Sequence, residues 1–82
     1  MRGDLGRAED MQMKSLKLEE ELGRKEGMGA SYGNLGTIYE AHKDKAKMCE
    51  YLRKERDLWR EMRLEDKAAE AEKWMRLKGC GE

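Results

Sequence analysis

The chain has 82 residues, enough for one small domain, and 44% of them are charged while only 6% are aromatic, which leaves little material for a core. Lysine plus arginine equals aspartate plus glutamate at 18 each, and the signs are interspersed, so there is no basic stripe to collect nucleic-acid phosphates. No apolar run approaches the roughly 20 residues that cross a bilayer, and the N-terminus lacks the apolar core of a signal peptide, which makes the cytoplasm the expected location.

High charge and low hydropathy favour disorder, but a formal net charge of zero and apolar stripes that persist along the chain argue for a folded domain. Proline and phenylalanine are absent. Good helix formers dominate and alternating β-branched runs are missing, so the predicted class is all-α, with about four helices.

Asp4 is the expected N-cap of a first helix reaching Leu22. Its apolar stripe is read as Ala8, Met11, Ser15, Leu18 and Leu22, at threes and fours. Gly23 follows as a C-cap, with Arg24 and Lys25 placed to favour the negative helix end.

A second helix is expected from Glu26–Met28 to about His42. Gly27, Gly29, Gly33 and Gly36 make its first half intrinsically weak, so neighbours must hold it. Tyr32, Leu35 and Tyr39 fall on one stripe, with Gly36 beside it leaving room for another helix.

Asp44 caps a third helix, about 45–63, whose packing positions include Met48, Cys49, Leu52, Trp59 and Met62. The turn His42-Lys43-Asp44 contains neither glycine nor proline. A fused second and third helix in a domain-swapped dimer is therefore the alternative to an ordinary hairpin, which the Asp44 cap favours.

A fourth helix starts near Glu65 or Asp66 and stops before Gly79, with Leu64, Ala68, Ala71 and Met75 on its stripe. The expected domain spans 1–78, followed by a flexible tail, 79–82. Cys49 reads as a small buried hydrophobe and Cys80 as an exposed thiol in that tail, with no disulfide framework.

Sliding the sequence on itself by 40 residues superimposes Asp4 on Asp44, Lys14 on Lys54, Leu18 on Leu58 and Glu21 on Glu61. It also lays the first helix on the third and the second on the fourth, the mark of a repeat array.

Tyr32-Gly33-Asn34-Leu35-Gly36-Thr37-Ile38-Tyr39 resembles the first-helix motif of the tetratricopeptide (TPR) repeat, an aromatic, two residues, Leu-Gly, two residues, Tyr. With Arg7-Ala8-Glu9-Asp10-Met11, Glu21-Leu22-Gly23 and Lys25-Glu26-Gly27-Met28, residues Leu5 to Tyr39 are similar to the longer-period branch of that family, found in kinesin light chains and bacterial scaffolding proteins. The second half departs from the pattern: Met48 stands where Ala8 stands, Glu55 for Ser15, Lys43 for Gly3, Glu72 for Tyr32 and Arg76 for Gly36. The resemblance implies antiparallel helical hairpins packed through Ala8, Ser15, Tyr32, Leu35, Gly36, Tyr39, Leu52 and Trp59. It also implies a ligand face for protein or peptide partners on the second and fourth helices: Asn34, Thr37, Glu40, Ala41, Lys73, Trp74 and Leu77. Under this resemblance the chain starts and stops mid-repeat, so an uncapped end is expected to join another copy, most simply as a dimer, the alternative being a fragment of a longer array. A purely structural homodimeric bundle is the rival reading.

No enzyme is expected. His42 is the only histidine, and with Cys49 it falls short of a metal set. Ser15, Ser31 and Thr37 have no base at motif spacing. The glycines around Gly27–Gly36 follow no strand and lack the phosphate-loop Lys-Ser/Thr. No cofactor or metal is therefore expected. The methionines near helical stripes read as adaptable core filling.

Overall fold

The computed structural model describes residues 2–81. They form four helices: α1 (Arg2–Leu22), α2 (Lys25–Ala41), α3 (Lys45–Glu61) and α4 (Glu65–Leu77). The expected all-α class is observed, with no strand among the described residues. α1 already includes Asp4, which is therefore not an N-cap.

All four helices end in the same way. Gly23, Lys43, Arg63 and Gly79 adopt φ of 69°, 61°, 62° and 75°. The next residue's N–H then reaches back to a carbonyl in the last turn: Arg24 to Glu19 at 2.9 Å, Asp44 to Tyr39 at 2.9 Å, Leu64 to Trp59 at 2.8 Å and Cys80 to Met75 at 2.8 Å. This is the Schellman arrangement, which satisfies otherwise orphaned carbonyls. After the second turn, the Asp44 carboxylate accepts the Lys47 N–H at 3.2 Å and starts α3. The hairpin is thus closed within one chain, and the fused-helix alternative does not apply.

Backbones approach closely only between helices consecutive in the chain, α1 with α2, α2 with α3 and α3 with α4. The result is a flat slab, 36 × 33 × 15 Å. Its core is centred on Leu35, Tyr39, Met48, Tyr51, Leu52 and Met75. The Tyr39 and Tyr51 rings stack at 5.6 Å between centroids, and Tyr32 leans on Tyr51 at 6.1 Å. Lys47 and Lys54 cover the outer ring faces at 5.2 Å and 5.1 Å, a modest gain at an exposed site.

The face that α1 turns to α2 differs from the expected one. Leu16 is buried there, whereas Ser15 is exposed and Met11, Leu18 and Leu22 are 67%, 55% and 55% exposed. Polar matching explains the choice. Ser31, buried on α2, donates to Glu19 at 2.7 Å; the Tyr39 hydroxyl donates to Glu9 at 2.5 Å; the Asn34 amide donates to Gln12 at 3.4 Å. Turning the apolar stripe inward would strand the buried Ser31 and Tyr39 hydroxyls at high desolvation cost. Burial and the Glu9 bond push the Tyr39 phenol far up, so it remains a donor.

The other expected packing residues divide. Leu35, Gly36, Tyr39, Leu52 and Trp59 are buried, while Ala8 and Tyr32 are half-buried. Gly36 does not mark the closest approach, since a Cβ there would meet Leu52 at an ordinary 3.5 Å. The tightest approach to a rigid group is at Gly29, where a Cβ would clash with the Trp59 ring, whereas at Gly27 it would meet the flexible end of Glu19.

Cys80 is not a free thiol. It is joined to Cys49 by a disulfide across a sequence separation of 31, and Arg53 donates to the Gly81 carbonyl at 3.4 Å, so residues 79–81, expected as a flexible tail, are tied to α3. In the chain-entropy account a loop of this length stabilises by about 3–4 kcal/mol.

These contacts set two expectations. Gly29→Ala should cost about 1–3 kcal/mol, because the rigid indole has to move. Gly36→Ala should be neutral or stabilising by up to about 1 kcal/mol through helix propensity. Parallel urea melts compare them. Lys43→Gly and Arg63→Gly should each stabilise by about 0.5–1 kcal/mol by relieving left-handed strain, raising the melting midpoint by several degrees in differential scanning calorimetry.

Candidate functional site

Between α2 and α4, with α3 as its floor, lies a groove of about 390 Å³. Two features of the sequence open it. Gly33 and Gly36 give α2 no side chain on this side, and Ala71 gives α4 a small one. Met48 and Leu52 from α3 form the apolar bottom. Thr37 rises on the α2 wall, its hydroxyl donating to the Gly33 carbonyl at 3.2 Å. Trp74 stands on the α4 wall and is 48% exposed.

One end of the groove is closed by an ion pair between Lys78 on α4's C-terminal side and Glu40 on α2. Lys78 also lies over the Trp74 ring at 5.5 Å. Towards the other end sit Glu55, Lys67 and Glu70, with the Lys67 ammonium 4.7 Å above the Trp59 ring. Glu55 is tucked against α2, where a Cβ on Gly33 would lie 2.8 Å from its carboxylate. Burial pushes the Glu55 carboxyl above the usual range and the Glu70 charge adds to this; the Trp59 hydrogen bond and Lys67 oppose it. The groove therefore offers an apolar bottom, an aromatic lip and a half-buried Glu55 carboxyl with Glu70 beside it.

Of the residues assigned to a ligand face from the sequence, the fold brings Thr37, Glu40 and Trp74 together on this groove. Asn34 turns towards α1 and bonds Gln12. Ala41, Lys73 and Leu77 are exposed but do not line it. Reasoning from the repeat register missed Glu55, Lys67, Glu70, Ala71 and Lys78. Their spacings of three and four trace the inner stripes of α3 and α4, but no motif separates those stripes from an ordinary solvated face.

His42 lies at the end of α2, its ring nitrogen 3.9 Å from the Glu9 carboxylate. Among the described residues no three His, Cys, Asp or Glu side chains converge as a metal set would. Among the described residues no helix is long and apolar enough to cross a membrane. No protein-family model, characterised protein or solved structure matches the chain.

The Glu55 environment has a pH signature. Because its folded pKa is raised, the folded chain holds more protons than the unfolded chain between the ordinary glutamate value and the raised one. Stability contributed at this position falls as pH rises through that window, and the loss is complete above it. Glu55→Gln should therefore be more stable than the parent at neutral pH, with the difference shrinking as pH drops below the ordinary glutamate range. Urea melts across a pH series read this directly.

Proposed function

We propose that the chain is a non-enzymatic helical-repeat module of the longer-period TPR type, which scaffolds other proteins by holding an extended segment in the groove between α2 and α4. The observation that carries this reading is the groove itself, apolar at the bottom, aromatic at the lip and charged along both walls. Close backbone approach between successive helices alone, as in a stack of hairpins each laid on the one before, supports the repeat reading. So does the spacing of Gly23, Lys43 and Arg63, twenty residues apart, half the repeat offset.

The groove's chemistry defines what it would take. An apolar side chain fits over Met48 and Leu52 beside Trp74. A lysine or arginine fits next to Glu55 and Glu70, where it relieves the repulsion of two near carboxylates. No cofactor or metal enters this reading. A cytoplasmic location, expected from the sequence, is compatible with the Cys49–Cys80 bond only if burial of Cys49 protects it from cellular thiols; otherwise an oxidising compartment is required. A second reading, a homodimeric helical bundle without a separate ligand, draws on the uncovered apolar stripe of α1.

Selection from a random displayed-peptide library on the immobilised chain tests the main reading. Enriched sequences should pair an apolar residue with a basic one. Their affinity should fall by roughly tenfold or more for Trp74→Ala, the expected loss for an aromatic anchor. Circular dichroism checks that the variant stays folded. Failure to enrich any peptide, or equal binding to Trp74→Ala and Glu70→Lys, would remove the groove as a site.

A further inference from the structure

Outside the groove, the largest unused feature is the outer stripe of α1. Met11, Leu18 and Leu22 are more than half exposed, and Ser15 between them is exposed too. The 40-residue register says what such a stripe normally meets. Met11 corresponds to Tyr51 and Leu18 to Leu58. Both α3 residues are buried, and Tyr51 is covered by Tyr32 and Tyr39 from a neighbouring helix, α2. The α1 stripe therefore occupies positions that a packed helix covers elsewhere in the same molecule.

The charges beside the stripe select the occupant. Arg7, Lys14 and Glu21 run along the edge away from α2, seven residues apart, all exposed. Among the described residues none of the three has an ion pair within the chain. The edge is basic at one end and acidic at the other, so it complements itself when one helix runs antiparallel to another. We infer that α1 docks on α1 of a second copy, antiparallel, across a two-fold axis near Lys14. In this arrangement Ala8 lies opposite Leu18 of the other copy and Met11 opposite its Ser15. Arg7 meets Glu21 of the other copy twice, by symmetry. The two Lys14 side chains lie near the axis and extend to solvent along their flexible stems. The small residues Ala8 and Ser15 let the longer ones interleave, as at an antiparallel helix seam. The register belongs to the repeat reading proposed above, but the surface is separate from the groove.

Sedimentation of the intact, disulfide-bonded chain across the micromolar range tests the pairing. The parent should show twice the 9.6 kDa chain mass, while unreduced denaturing electrophoresis shows single chains. Leu18→Asp should return it to a monomer with unchanged helicity, since Leu18 is exposed within the chain. Arg7→Glu should weaken the dimer, and Arg7→Glu with Glu21→Arg should restore it; restoration is specific to the antiparallel order. A monomeric parent, a dimer that survives Leu18→Asp, or a double reversal that fails to restore would each overturn the inference. Peptide binding by the Leu18→Asp monomer separates the two proposals: groove binding that persists while dimerisation fails leaves the groove standing alone, and the converse leaves the dimer.

Discussion

The structure depends on how its helices stop. Each ends on a residue in the left-handed region, and the following N–H folds back onto the last turn. That geometry sends the chain back beside itself after a break of two or three residues, so each of α2, α3 and α4 packs against the helix before it. Two of these positions, Lys43 and Arg63, carry side chains that make the conformation costly. At Lys43 the conformation persists because packing of α2 on α3 over-determines it: Tyr39 stacks on Tyr51 near the turn, and the Trp59 ring on Gly29 secures the same pair of helices at their other end. Turn and core thus support one another, and the slab follows from both.

The helix pattern was legible in the sequence because hydrophobic period and cap chemistry agree at most boundaries. Gly23, Asp44 and Gly79 mark three of them, and the class follows from composition alone. The facing of α1 was not legible. Two stripes of that helix have helical spacing, and hydropathy favours the apolar one. The choice was made by Ser31 and Tyr39 on the neighbouring helix, whose buried hydroxyls require Glu19 and Glu9 opposite them. Such partner-dependent choices do not appear in any single-helix pattern. The same applies to Gly29, which looks like one glycine among several until Trp59 is placed on it. Cys49 and Cys80 are 31 residues apart and share no motif, so only the return of the chain past α4 reveals that they meet.

The candidate groove was legible in part for a related reason. The 40-residue offset lays α4 on α2 and carries Thr37 and Asn34 onto Leu77 and Trp74. The two helices do not present equivalent faces. Trp74 lines the groove while its counterpart Asn34 is held by Gln12, and Thr37 lines it while its counterpart Leu77 faces away. The 40-residue offset thus relates the two helices in position along their length better than in rotation about it.

The glycines of α2 connect stability to the site. They weaken the helix in isolation, each by roughly 1 kcal/mol relative to alanine, and a segment with this many would not hold a helical form alone. Gly29 accepts the Trp59 ring, and Gly33 and Gly36 leave the recess that the groove occupies. A sequence with better helix formers at Gly33 and Gly36 would narrow that recess and crowd Glu55, whose carboxylate already sits against α2. The recess therefore requires a helix that α1 and α3 must hold from both sides: α1 through Glu19 and Glu9, α3 through Tyr51 and Trp59. Loss of either neighbour would remove the groove by unfolding its wall rather than by altering any residue that lines it.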